Sequence, residues 1–271
     1  MILDGTKMVK TPYKDSRGHH GESGQLYQYE DIGGKKYLVK RKLLDVANEY
    51  VSHSIAKIIG VPTSDSVLIR ENGEYAVGIQ FEEDFQRVGM DDFFGTEKYE
   101  DDDLNMGYPP VSMLQATEAK YPDDDPHLAE AMKYLAFRHI VVMDDNPQVA
   151  FAHGKLISFD YAYAFNLTEQ LFDRLMNDNR IILESAINHF KRHLAILHGY
   201  KSSLELLRRP NTELLFDAYF DSVLNFYNVD FNPLFDELRQ VFPKTVVDFY
   251  RACFQLIKQD IEEMTSEESR R

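Results

Sequence analysis

The hydrophobic period of this chain changes along its length, and that change limits the folds open to it. Before residue 82, apolar side chains alternate in short runs bounded by turn residues, with one helical stretch among them. After Phe165 the chain reads as helix to its end. Gln25 to Tyr29 and Lys36 to Lys40 read as strands joined through Gly33-Gly34, a hairpin signal. From Asp45 to Gly60, Val46, Tyr50, Ile55, Ile58 and Ile59 recur near helical spacing. Asp45 or Asn48 is the expected cap, and Gly60 followed by Pro62 is the stop. Two further strands, Ser66 to Arg70 and Glu74 to Phe81, flank a turn at Asn72-Gly73. The first part therefore reads β-β-α-β-β.

Acidic and aromatic residues from Glu82 to Pro126, with Asp101 to Asp103 and Asp123 to Asp125, read as a solvated connection carrying short helical pieces. A helix is expected from His127 to Val142, with Pro126 at its start and Asp125 as cap. Val149 to Phe151 and Leu156 to Phe159 read as a small hairpin. Helices are expected over 168–177, 181–197, 202–207, 212–227, 232–241 and 245–264. The expected fold class is α+β and bilobal. A β-rich lobe spans residues 1–84 and a larger helical lobe spans 85–271.

Charge and cysteine usage exclude several functions. The formal net charge of −15 sets up a field that repels nucleic acid phosphates and anionic lipid. Met1 to Gly5 shows no basic segment followed by an apolar run, and no stretch is apolar enough to span a bilayer, so a cytoplasmic protein is expected. The single cysteine, Cys253, cannot form an internal disulfide or a structural zinc site, which points the same way. His189 and His193 have the i, i+4 spacing of zinc ligands but lack an intervening glutamate or a third ligand, so solvated or satisfied histidines are expected.

Against that acidic background, Lys35, Lys36, Lys40, Arg41 and Lys42 cluster. In its strand Lys40 shares a face with Leu38, opposite Tyr37 and Val39, so it points inward if that face lines a cleft; Lys42 is the fallback cation. Glu49 follows in the next helix. Asp144, Asp145 and Asn146 come after an apolar helix and before Pro147, where they either end it as an Asx turn or carry chemistry. Asp160 ends an apolar strand among hydrophobic neighbours, a placement that is costly unless a cation or several donors compensate, and Mg²⁺ is a natural compensator. Transfer of a phosphoryl group from ATP needs these parts: a cation on the phosphates, an anion fixing it, carboxylates for Mg²⁺, and a group that positions the acceptor. The glycine-rich stretch with Gly21, Ser23 and Gly24 offers backbone N–H groups that can approach phosphate oxygens.

Taken together, the run Tyr37 to Lys40, Asn48-Glu49-Tyr50, Ala56 to Pro62, and Ile157 to Phe165 resembles the HipA-like kinases, part of the lipid-kinase-like group of atypical serine/threonine protein kinases. The resemblance covers most of residues 15–170. It implies that Lys40 binds the phosphates, Glu49 orients Lys40, Asp144 is the catalytic-loop aspartate and Asp160 the metal-binding aspartate. It also implies that backbone groups near Gln80, Phe81 and Glu82 hold the adenine. The family pattern Asn-x-Asp-Arg-His-x-x-Asn is not matched: the Arg-His pair is absent, and Val149 stands where the second metal ligand is expected. Either Asp145, Asn146 or Gln148 substitutes, or the site handles one metal and works poorly. The expected function is an ATP- and Mg²⁺-dependent kinase acting on a protein. The alternatives are a pseudokinase serving as a nucleotide-binding or protein-interaction module, and a small-molecule kinase.

Overall fold

The computed structural model describes residues 2–13, 26–80, 84–89, 92–93, 120–122, 125–143, 149–194 and 212–268. Its N-terminal part is a six-stranded curled sheet in the order β1-β5-β6-β4-β3-β2. The strands are β1 (Ile2–Asp4), β2 (Val9–Pro12), β3 (Tyr27–Glu30), β4 (Lys36–Lys40), β5 (Ser66–Glu71) and β6 (Glu74–Gln80). The two hairpins read from the sequence are present as β3-β4 and β5-β6, both antiparallel. Helix α1 (Leu43–Ile58) lies between them in sequence and ends as expected, with Gly60 in the left-handed region at φ +78.

Two strands at the N-terminus were not expected. β1 runs parallel to β5, and β2 pairs with β3. Neither has a legible pattern: β1 is three residues long and all four residues of β2 are exposed. They exist because edge strands offered them hydrogen-bonding partners, and Pro12, which has no amide proton, sits at the outermost edge where none is needed. The start of α1 also differs from expectation. The helix begins at Leu43, and its first residue follows Lys42, which makes no side-chain cap, while Asp45 and Asn48 are buried inside the helix.

Alternation gives the sheet two apolar faces. Tyr29, Tyr37, Val39, Ile69 and Ala76 form a small cluster on one side. On the other, Leu68, Val77 and Ile79 pack against Val46, Ala47, Tyr50, Val51 and Ile55 of α1, within a core that continues without a break into the helical part. Gly78 belongs to the first face because a Cβ there would lie 2.7 Å from Ile69 Cδ1 and 3.2 Å from Tyr37 Cβ.

The C-terminal part combines a three-stranded sheet with helices. Strand β7 (Gln86–Val88) joins the hairpin β8 (Val149–Ala152) and β9 (Lys155–Ser158) in the order β7-β8-β9. The hairpin matches expectation; β7 falls where only a connection with helical pieces was read. Helices α2 (His127–Ile140), α3 (Glu169–Met176), α4 (Arg180–His193), α5 (Thr212–Asn228), α6 (Asn232–Leu238) and α7 (Lys244–Glu268) follow. Caps set several starts: the Asp125 carboxylate accepts from His127 N, Thr168 Oγ1 from Leu171 N, and Asn179 Oδ1 from Ile181 N and Ile182 N. The helix expected over 202–207 lies outside the described residues. Among the described residues, no helix is long and apolar enough to cross a membrane.

Aromatic side chains dominate the helical core. Phe165, Phe190, Phe226, Phe249, Tyr250 and Phe254 are all buried, with Phe165 edge-on to Tyr250 at 5.0 Å. Cys253 is wholly buried among them, and burial pushes its thiol well above the usual range. It serves as core, not as a nucleophile.

Candidate functional site

Lys40 ends β4 on the face shared with Leu38, so its side chain leaves the sheet toward α1 and the helical part. There its ammonium donates to Glu49 Oε1, and to Asp160 Oδ1 at 2.6 Å. The lysine and Asp160 are 120 positions apart in sequence. Glu49 is fully buried, Lys40 nearly so, and the Asp160 side chain is 38% exposed. The constellation therefore has a dry end on α1 and a wet end at Asp160.

The electrostatics follow from that gradient. Burial alone would pull the Lys40 ammonium toward its neutral form, but Glu49 and then Asp160 reverse this and hold it above its ordinary range. Burial likewise works against a charged Glu49, and Lys40, followed by His53, overcomes it and keeps the carboxyl below its usual range. Lys40 is thus a fixed cation and Glu49 a fixed anion. Such a pair adds little net stability, because desolvation offsets attraction; its value is in placing the ammonium.

Four contacts hold α1 in position. Asn48 Nδ2 donates to the Ala162 carbonyl at 2.7 Å, and Tyr250 OH donates to Asn48 Oδ1 at 2.8 Å. Tyr50 OH donates to Glu237, and Asn225 Nδ2 donates to the Ile59 carbonyl at 3.4 Å. Asn48 does not cap the helix; it joins α1, the segment after Asp160 and the long helix α7.

Asp160 follows β9 in the left-handed region, at φ 62. That conformation is sparse for a side chain other than glycine and persists only where surroundings enforce it. The enforcing contacts come from the next residues, where Tyr161 is fully buried and the Ala162 carbonyl is bound by Asn48. As a partly exposed oxygen donor on a fixed segment, Asp160 suits a hard cation. Mg²⁺ is commonly held by one or two carboxylates together with phosphate oxygens and water, so this chain's donor chemistry fits it.

Asp144, Asn146 and Gln148 lie outside the described residues, but both flanks are defined. Before them, Met143 O accepts from Arg138 Nε at 3.1 Å, and Phe165 N donates to Val141 O at 2.6 Å. Val142 has φ 48, an outlier for a β-branched residue. After them, Val149 is buried in β8 and pairs with Ser158, two residues before Asp160. Val149 offers no metal-ligating atom.

Gly21, Ser23, Gly24, Phe81 and Glu82 also lie outside the described residues. Gln80 ends β6, and its backbone N–H donates to the Asp65 carbonyl at 2.7 Å. Lys42, the fallback cation, pairs with Glu169 at 2.9 Å. His193 Nδ1 is bonded to the His189 carbonyl at 2.9 Å, and among the described residues no group of three or more His, Cys, Asp or Glu is arranged to hold a metal. Sequence reasoning missed His53, one helical turn beyond Glu49, and Thr63. The i, i+4 spacing of Glu49 and His53 was the available signal.

No protein-family model and no curated protein matches the sequence. Among solved structures, the Helicobacter pylori proinflammatory kinase CtkA is similar, with a TM-score of 0.58 and 14% identity over 97% of this chain and 96% of that one. The amicoumacin kinase hAmiN, solved with AMP-PNP, Ca²⁺ and Ami, aligns over 95% of this chain and 90% of that one, at 12% identity and a TM-score of 0.27, too low to carry weight. The chain has a mixed, bilobal, kinase-like fold.

Proposed function

We propose that this chain is a phosphotransferase using ATP and Mg²⁺, with serine or threonine of a protein as acceptor and the cytoplasm as its setting. A lobe of residues 1–84 and a lobe of 85–271 would enclose the nucleotide. The observation that carries the reading is the convergence of Lys40, Glu49 and Asp160 from a strand, a helix and a post-strand turn. Structural salt bridges are common, but a buried lysine fixed by one inaccessible carboxylate and tipped by a second, solvent-reaching one suits phosphate and metal ligation.

In this reading Lys40 neutralises phosphate oxygens while Glu49 restrains it. Asp160 would hold the metal, which would supply screening of charge on the phosphates. Asp144 accepts or orients the acceptor hydroxyl, with Asn146 or Gln148 as further metal ligands. A second reading, a nucleotide-binding module without transfer, is favoured by the buried, non-ligating Val149.

Calorimetric titration with ATP, with and without Mg²⁺, tests the first step. Binding is expected to be Mg²⁺-dependent and to be lost in Asp160→Asn with the fold retained. Unchanged binding in that variant would overturn the assignment. Incubation with γ-labelled ATP and a serine/threonine peptide library then separates transfer from binding alone.

A further inference from the structure

Behind the Lys40–Glu49 pair lies a polar chain, buried at His53, Ser158 and Tyr161 and half-buried at Thr63, that the phosphoryl-transfer roles do not use. Glu49 Oε2 faces His53 Nε2 at 3.4 Å, both groups being almost wholly inaccessible. That separation is too long for a good hydrogen bond, so the two groups face each other without one. His53 Nδ1 meets Thr63 Oγ1 at 2.7 Å, and its ring packs on Tyr161 with centroids 4.6 Å apart. Thr63 Oγ1 also lies 3.1 Å from the Ser158 carbonyl and 3.2 Å from Tyr161 OH. Tyr161 OH contacts Ser158 Oγ, which reaches the Pro62 carbonyl at 3.2 Å. Backbone joins the same two places: Thr63 bridges Ser158, and Ser158 N donates to Pro62 O at 3.0 Å.

Counting donors gives the chain a direction. The Thr63 hydroxyl donates its single hydrogen to the Ser158 carbonyl, and the same oxygen lies against His53 Nδ1. Tyr161, whose phenol burial keeps protonated, donates to Ser158 Oγ, and Ser158 donates to Pro62 O. Thr63 with Ser158, and Ser158 with Pro62, join the turn after α1 to the segment leading to Asp160, and His53 joins Thr63 to α1.

We infer that His53 and Thr63 are positioning residues that tie Glu49 to the Asp160 segment, so that the phosphate-binding lysine and the metal-binding carboxylate are held in register as one unit. This rests on the phosphotransferase reading of the site. Neither residue touches nucleotide or acceptor in that reading. Glu49 has Lys40 on one oxygen and His53 beside the other, so its carboxylate plane is set from both sides. Thr63 transmits that orientation to Ser158 and Tyr161, the neighbours of Asp160. Misplacement of a catalytic group by about 1 Å can cost about a hundredfold in rate, which is the sensitivity such a link would protect.

Three full-chain variants test it: Thr63→Val, which keeps shape and removes the hydroxyl; Thr63→Ser, which keeps the hydroxyl; and His53→Gln, which keeps a donor and an acceptor. Melting temperature, Mg²⁺-dependent ATP affinity, and kcat and KM for ATP are measured on each, with Lys40→Met and Asp160→Asn as references. Thr63→Val is expected to weaken Mg²⁺·ATP affinity or kcat by about tenfold or more with little change in melting temperature, and Thr63→Ser to recover most of it. His53→Gln is expected to lie between them; if it does not fold, the Thr63 pair decides alone. Thr63→Val within twofold of the parent, while Asp160→Asn abolishes Mg²⁺·ATP binding, would overturn the positioning role and leave the proposed function standing. Loss in Thr63→Val that Thr63→Ser does not restore would also overturn it. Unchanged Mg²⁺·ATP binding in Lys40→Met and Asp160→Asn would overturn the function and the positioning role together.

Discussion

Replacing Lys40 with Met leaves Glu49 as a carboxylate with no exposed surface and, among the described residues, His53 as its remaining neighbour of opposite or polar character. Stranding one member of a buried pair costs about 3–5 kcal/mol, mostly from the uncompensated charge. Asp160→Asn removes the other partner of Lys40, but at a side chain 38% exposed, where pairs contribute below about 1 kcal/mol. Adding Glu49→Gln to Lys40→Met removes the stranded charge and should return about 1–3 kcal/mol. Because the chain has no Trp, urea unfolding followed by far-UV circular dichroism at pH 7 is the suitable assay.

The pH dependence supplies a second axis. In the parent, the folded-state carboxyl of Glu49 lies below its unfolded value. Its contribution is therefore complete above the unfolded carboxyl range and lost as pH falls through the folded value. In Lys40→Met, the upward push of burial is no longer offset by the lysine, so protonating Glu49 on acidification relieves the variant. The stability gap should narrow as pH falls from 7 toward about 4.5. A Lys40→Met variant within 1 kcal/mol of the parent at pH 7, or no recovery in the double variant, would refute the buried-pair reading.

Asn48→Ala should cost about 1–3 kcal/mol, since it leaves the Ala162 carbonyl and the Tyr250 hydroxyl without their bonds; a loss below about 0.5 kcal/mol in the same unfolding assay would mean that water replaces both. Gly78→Ala should destabilise by about 1–3 kcal/mol through overlap with Ile69, Tyr37 and Val67, and a stabilised variant by thermal melting would show that the sheet yields there.

Much of the architecture could be read from local pattern because the pattern records which side of an element meets the core. Alternation placed Lys40 beside Leu38 and opposite Tyr37 and Val39, and the small cluster containing those last two confirms that division. The period of 3.6 and the punctuation at Gly60 and Asp125 located α1 and α2 for the same reason: caps and apolar stripes act within a few residues. Tertiary docking alone decided the rest. β1, β2 and β7 depend on edges supplied by β5, β3 and β8. Asn48 was a local capping residue by its neighbours, yet its partners are Ala162 and Tyr250, and His53 acquires its role only through Thr63 and Tyr161. Hydrogen bonds are short and directional. A polar side chain can have its burial forecast by pattern, but its partner is chosen by how separate elements come to rest against one another.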